Sequence, residues 1–367
     1  MRIGIDFHSA EKEGSGNCTY IRNLVEALVE LQQENEYFLY VNNIRYPYYA
    51  RFNKYKHVHF RQIGIRNPFI RIPILGIMTF FDKIDVLHVQ YIAPPVHRGK
   101  LVVMIHDLAF IHFDYCFSKF ERIRSKILIP FNARIADKIL TVSDYSKQDI
   151  VKTLKIPAEK IVVTYDAVDG TFKQYSDMKQ ISSMLSSYGI NDKYILSVGR
   201  LDPRKNLARL IEAFVKLKKE KSIPHKLVIA GKKDYLSSTI EKLIQNEKNN
   251  IIPTNYIPSE SLPFFYCGAD VFVYPTLFEG FGLPCLEAMS CGCPVVSSKT
   301  SSIPEVVGQA GILVDPYSVN EIADAIYKVI SYMSIRSEMK RKGLLKALEF
   351  NWKETAMKTL ETYKTLC

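Results

Sequence analysis

The sequence predicts an α/β protein made of two doubly wound, parallel-sheet domains facing one another across a cleft. Three observations carry this. Short apolar strands alternate with amphipathic helical stretches along the whole chain, the pattern of a parallel sheet covered on both faces. A polar stretch, KQYSDMKQ, separates two such series of similar size, and 367 residues are enough for two cores. The glycine-, acid- and base-bearing motifs fall mostly just after strands, where sheets of this kind hold ligands.

In the first series RIGIDF, EYFLYVN, VHFRQI, DVLHVQ, VVMIHD, KILTVS and KIVVTY read as strands, and YIRNLVEALVEL between the first two has helical spacing. The second series runs KYILSVGR, the helix NLARLIEAFVKLKKE, KLVIAG, a helix from about Ser237, then NIIPTNY, DVFVYP, PVVSS and GILVDP. The tail FNWKETAMKTLETYKTL is one more amphipathic helix. The expected division is 1–172 with a crossover helix at 351–367, against 173–350.

Composition narrows the class. An apolar content of 47% with mixed charge describes a globular protein. No apolar run reaches the ~18 residues that would cross a bilayer; IRIPILGIMTFF is interrupted by Arg71 and Pro73. MRIGIDFHSA carries Asp6 and reads as a buried first strand, not a secretory signal. Seven cysteines, with Cys291-Gly-Cys293 lacking a redox or metal spacing, point to free thiols and a cytoplasmic setting. The net charge of +11 favours an anionic partner without choosing one. Between Glu36 and Asp82 there is no acid, while Arg45, Arg51, Lys54, Lys56, Arg61, Arg66 and Arg71 lie among Tyr46, Tyr48, Tyr49, Phe52, Tyr55, Phe60 and Phe69. That stretch suits an anionic membrane surface or single-stranded nucleic acid, or else an ordinary solvated face.

The chemistry concentrates in LFEGFGLPCLEAMSCGCP, which sets Glu279 and Glu287 eight residues apart. Gly280 and Gly282 let backbone approach a ligand, and Pro284 suits a first helical turn. A helix start attracts phosphate, and two acids beside it would repel the anion unless they grip hydroxyls. The run therefore fits a phosphate flanked by sugar hydroxyls, as in a nucleotide sugar. In SVGRLDPRKN, Arg200 and Lys205 stand at a strand-to-helix loop, where two cations could neutralise a diphosphate. Ser302-Ile-Pro-Glu305 has capping-box spacing, and Glu305 reads as structural. Cys291 and Cys293 read as buried small residues.

These runs, with His106-Asp107 ahead of LAF, GSGNCTYIRNLVEAL, ADKILTVSDYSKQDI, IPSESLPFFYCGADVFVYP and SSIPEVVGQAGILVDP, resemble family 4 glycosyltransferases over nearly the whole chain. Those are retaining enzymes of the two-Rossmann GT-B fold, many of them mannosyltransferases. The resemblance implies that Glu279 and the amides of Gly280, Phe281, Gly282 and Leu283 contact the donor sugar, and Glu287 the ribose diol. It further implies that Arg200 and Lys205 hold the diphosphate, Gly14 and Gly16 admit phosphate and acceptor, and His106 faces the sugar. Loops around Gly231 and Ile257 are expected to hold the base. No metal or further cofactor is implied, and no Asp-x-Asp pair occurs. The expected donor is GDP-mannose, then a UDP sugar; the expected acceptor is a glycan or lipid-linked saccharide met at the membrane, with no nucleic acid partner. Rival readings are a nucleotide-sugar epimerase or sugar phosphorylase of the same fold, a catalytically dead nucleotide-sugar sensor, and a basic nucleic-acid-binding protein. The last explains pI ≈ 9.1 but not the Glu279/Glu287 run.

Overall fold

The structure, a computed structural model, describes residues 1–232 and 238–367. It divides into two compact units, Met1–Asp166 with Asn351–Cys367, and Ala167–Phe350. Phe172, at the end of the span expected in the first domain, packs its ring 6.2 Å from Tyr266 in the second unit.

The first unit is a seven-stranded sheet of β1 (Arg2–Asp6), β2 (Glu36–Val41), β3 (Val58–Gln62), β4 (Val86–Gln90), β5 (Lys100–Met104), β6 (Lys138–Thr141) and β7 (Ile161–Val163). Its order is β3-β2-β1-β4-β5-β6-β7, and every pairing is parallel. The central strands are apolar along nearly their whole length because both faces are covered; the edge strand β3 is only half-buried. The helix Gly16–Leu31 starts at Ser15, whose hydroxyl accepts from Cys18 N at 3.3 Å, and buries Tyr20, Ile21, Leu24, Val25, Leu28 and Val29. The closing helix Trp352–Lys364 belongs to this unit. Asn351 caps it, and Tyr363 reaches the sheet, its hydroxyl 2.6 Å from His88 Nδ1.

The second unit holds β8 (Tyr194–Val198), β9 (Lys226–Ala230), β10 (Ile251–Asn255), β11 (Val271–Tyr274), β12 (Val295–Ser298) and β13 (Ile312–Val314), ordered β10-β9-β8-β11-β12-β13 and again parallel. The Leu207–Lys221 helix lays Leu210, Ile211, Phe214 and Leu217 onto a core shared with Ile195, Val273 and Ile326. The helix expected from about Ser237 is described from Ser238 to Asn246; Ser237 itself lies outside the described residues.

The acid-free stretch departs from its sequence reading. Tyr49, Phe52 and Phe60 cluster with Phe7 beneath β2 and β3. Arg51 pairs with Glu26, Arg61 Nε with Asp82 at 2.7 Å, and Arg71 with Asp6 inside the core. Tyr46, Tyr48, Tyr49 and Tyr55 donate to Glu13, Glu26, Glu11 and Glu30. Much of this stretch therefore binds the unit together, because its counter-charges come from outside the window. IRIPILGIMTFF, considered above only as too short a span, forms most of a helix, Pro68–Phe81, with Pro73 inside it.

Candidate active site

Each sheet reverses direction of growth beside its first strand, between β1 and β4 and between β8 and β11, and such switch points open crevices at the strand ends. In the second unit the loops after β8 and β11 meet there. Leu277 N donates to Arg204 O at 2.7 Å, and Asn206 Nδ2 donates to Pro275 O at 2.9 Å and Pro316 O at 2.6 Å. Asn206 holds φ 57°, a left-handed conformation that asparagine tolerates.

This pinning joins Lys205 to Glu279. The lysine ammonium pairs with Glu279 Oε1 and donates to the Tyr274 hydroxyl at 2.6 Å. That hydroxyl donates in turn to Oε1 at 2.9 Å, and Thr276 Oγ1 donates to it at 2.8 Å. The two charged side chains are only 11% and 13% exposed, so the pair needs the two hydroxyls to offset desolvation. The described bonds to this carboxylate all converge on Oε1, and a carboxylate has a second oxygen that can accept from sugar hydroxyls. Burial, reinforced by the Glu279 charge, holds the Tyr274 phenol well above its ordinary pKa, so it stays a neutral donor.

The backbone after Glu279 is equally constrained. Glu279 N donates to Ser301 Oγ at 3.1 Å, and Ser302 Oγ lies 3.0 Å and 2.8 Å from the carbonyls of Glu279 and Phe281. Ser302 is thus drawn to the 279–281 loop and makes no side-chain cap to the Ile303–Val307 helix, which corrects the capping-box expectation. Gly282 has φ 106°, and a Cβ there would sit 2.6 Å from Ile303 Cδ1. Leu283–Ser290 follows as a helix with Pro284 in its first turn.

Glu287 accepts from Tyr266 OH at 2.8 Å. Burial pushes its carboxyl up to about 7; the Tyr266 bond opposes this, and the Asp169 charge adds to it. A folded value above the ordinary 4.5 means that this group's contribution to stability is complete below pH 4.5 and is lost as pH rises through about 7. Urea midpoints of the unliganded protein are therefore expected to fall between these limits, and Glu287→Gln is expected to flatten that slope.

The other sequence candidates lie outside this hydrogen-bonded cluster, some in each unit. Arg200 is exposed on the loop after β8. Gly231 has a structural reason to be glycine: a Cβ there would lie 1.9 Å from Gly199 O, where β8 and β9 end side by side. Ile257 is buried, and Cys291 and Cys293 are too. In the first unit, His106 Nε2 lies 2.9 Å from Gln90 Oε1, and its ring meets Tyr20 edge-on at 4.8 Å. Burial, with His88 adding, lowers His106 to about 3, so it is neutral near pH 7. Asp107 braces its loop by accepting from Ala109 N at 2.9 Å. Gly14 has φ 75°, whereas a Cβ on Gly16 would meet nothing within 4 Å. The sequence reading missed Tyr274, Thr276, Tyr266, Ser301 and Ser302. Tyr274 ends a strand that reads as apolar and Thr276 stands two residues beyond it, and only the positions of Lys205 and Glu279 reveal them.

A doubly wound unit with a lysine–carboxylate pair and a glycine-led helix start at its switch point belongs to the class that binds phosphorylated, hydroxyl-rich ligands. The chain matches the family Glycosyl transferases group 1 over residues 184–345 and Glycosyltransferase Family 4 over residues 15–171. It belongs to this glycosyltransferase family, with the GT-B fold. O-antigen chain mannosyltransferase B of Escherichia coli is 36% identical over 234 residues, 63% of this chain and 61% of that protein. Serotype-specific mannosyltransferase WbdA of Escherichia coli is 29% identical over 317 residues, 83% of this chain and 38% of that protein. The chain thus spans less than two thirds of the length of these relatives. HepE from Anabaena, solved with UDP and glucose, superposes with a TM-score of 0.78 over 100% of both chains at 17% identity, a likeness of fold.

Proposed function

We propose that the protein transfers a hexose, mannose foremost, from a nucleoside diphosphate sugar to a hydroxyl of a glycan or lipid-linked acceptor, as in polysaccharide or O-antigen assembly. The single observation that carries this reading is Lys205 paired with Glu279 at the switch point, with the described bonds to that carboxylate all falling on one of its two oxygens. That the two Escherichia coli relatives are mannosyltransferases supports mannose, and GDP-mannose is the donor we favour, ahead of a UDP sugar. The work is placed on the cytoplasmic side of the membrane.

In this reading Glu279 accepts from the donor's sugar hydroxyls, and Glu287, in its ionised form, accepts from the ribose diol. Lys205, Arg200 and the start of the Leu283–Ser290 helix stabilise charge on the departing diphosphate, which makes the reaction independent of a metal. The bond between anomeric carbon and phosphate oxygen breaks with its electron pair going to phosphate. The acceptor oxygen bonds the same carbon on the same face, retaining configuration, and its proton passes to the departing phosphate. His106 stays neutral within the first unit. In the first unit Gly14 and Gly16 leave room for the acceptor, and in the second the loops at Gly231 and Ile257 flank the base.

Thermal-shift screening against a panel of nucleotide sugars tests the donor, and product analysis with and without acceptor tests the reaction. Stabilisation by GDP-mannose and product formation only with acceptor are expected. Turnover of the donor alone would support the epimerase reading. Glu279→Ala is expected to abolish transfer while weakening nucleoside diphosphate binding less than Glu287→Ala does, as read by calorimetry. Equal loss of binding in both variants would contradict the assigned roles.

A further inference from the structure

We infer that Cys267 and Cys291 form a redox pair, a modification site at which hydrogen peroxide converts two thiols into a disulfide tying the Leu262–Gly268 helix to the Leu283–Ser290 helix. Both residues belong to the second unit, so the pair needs nothing from the first. Cys267 stands in the last turn of the shorter helix and is half-buried, whereas Cys291 closes the longer helix and is buried. The Cys267 sulfur lies 3.5 Å from Cys291 O and 3.6 Å from Lys173 O, and it accepts from Tyr175 N at 3.3 Å. The Cys291 thiol donates to it as well. Two sulfurs already in hydrogen-bond contact need little movement to join.

The surroundings assign the roles. A thiolate is the nucleophile, and donors aimed at a sulfur favour that form. The bond from the Cys291 thiol brings Cys267 down to about 7 against the opposing effect of burial, with the Tyr175 amide and the Lys340 charge adding to it. Lys340 stands beside the turn that follows Cys291, since a Cβ on Gly292 would meet its Cε at 3.1 Å. Cys291 is pushed the other way by the same bond and by burial, and stays a thiol. Burial also raises Cys285 and Cys293, whose sulfurs lie against Ser297 Oγ and Ala269 O. Cys267 therefore attacks and Cys291 resolves. The Cys267 thiolate bonds to one peroxide oxygen and hydroxide leaves, giving a sulfenic acid. The Cys291 sulfur then bonds to the Cys267 sulfur, and its proton departs with the sulfenic oxygen as water. Two electrons pass from the sulfurs to one peroxide, which ends as hydroxide and water.

The bridge encloses the bond between Tyr266 and Glu287. Tyr266 precedes Cys267 and donates to the Glu287 carboxylate at 2.8 Å, while Cys291 N donates to Glu287 O at 3.1 Å. Drawing these helix ends together displaces the carboxylate assigned above to the ribose diol, so oxidation weakens donor binding. That consequence rests on the proposed function; the bridge itself does not.

The test treats the reduced full chain with hydrogen peroxide, blocks remaining thiols by alkylation and maps the peptides. A linked 267–291 peptide and loss of two of the seven thiols are expected, both reversed by dithiothreitol. Cys291→Ala should leave a sulfenic acid on Cys267 that dimedone traps, and Cys267→Ala should give neither product; thermal denaturation checks that both fold. The inference is overturned if Cys267 and Cys291 stay free in the wild type, or if Cys267 bridges to Cys293 instead. Bridging is expected to weaken GDP-mannose binding by roughly fivefold or more, with Cys267→Ala insensitive to peroxide. Equal affinity of bridged and reduced protein would overturn the coupling to Glu287. A reduced protein that binds no nucleotide sugar strikes the proposed function alone, and the thiol map then decides this inference.

Discussion

Lys205→Ala is expected to reduce sugar transfer by roughly 10²–10³-fold, the size of effect seen when one preorganised charge or donor is removed from a developing anion. The structure argues for this beyond the presence of a cation. Lys205 is held by Glu279 and by Tyr274 OH at 2.6 Å, and its ammonium lies 5.1 Å from the centre of the Tyr274 ring. Its position is therefore set before any diphosphate arrives. Removal also leaves Glu279 buried with only hydroxyl partners, which is expected to cost about 3 kcal/mol of stability. Lys205→Arg keeps the charge but not the point-like ammonium that fits between Glu279 and Tyr274, so it should restore stability more than transfer. Steady-state rates with saturating donor, set beside urea midpoints, check this. Wild-type transfer rates in Lys205→Ala would remove the lysine from the mechanism.

Gly231→Ala is expected to destabilise the second unit by roughly 3 kcal/mol or more, the upper range for overpacking. The new methyl would fall 1.9 Å from Gly199 O and 3.0 Å from both Gly199 C and Leu201 Cδ2. Two of these atoms are backbone, so no rotamer change relieves the contact. The ends of β8 and β9 would have to part, although Gly199 N donates to Ala230 O at 2.9 Å and Gly231 N to Asn255 O at 2.8 Å. Gly199 itself holds φ 149° at the head of the loop that delivers Lys205, so donor affinity should fall together with stability. Gly170→Ala, where a Cβ meets nothing within 4 Å, is the matched control. Denaturant unfolding of both variants, with a nucleotide-sugar titration, measures the difference.

The strands were legible because their signal is local. Runs such as DVFVYP and KLVIAG carry no charge after their first residue, as a sheet covered on both faces demands, and they appear as β11 and β9. Gly282 was legible as a special position, and its φ of 106° gives the reason. Partnerships were less so. Glu279 was read as a sugar contact and Lys205 as a phosphate contact, each facing a ligand, yet the structure turns them toward one another. Ser302 looked like half of a capping box by spacing, but its hydroxyl lies on the carbonyls of Glu279 and Phe281. The acid-free window suits an anionic surface or a solvated face when taken alone, because the acids that pair with Arg51, Arg61 and Arg71 lie outside it.

By itself the sequence determined the two doubly wound sheets, the loops that carry glycine, acid and base, and the closing helix. These follow from periodicity and turn chemistry within a few residues. Only the tertiary structure decided that Arg71 is neutralised by Asp6 from 65 residues away, and that Lys205 meets Glu279 across 74. It alone gathered Phe69 and Phe120 onto one exposed face. A charge or a ring has no partner in the linear chain: which one it finds depends on how strands order in the sheet and which helix faces remain uncovered.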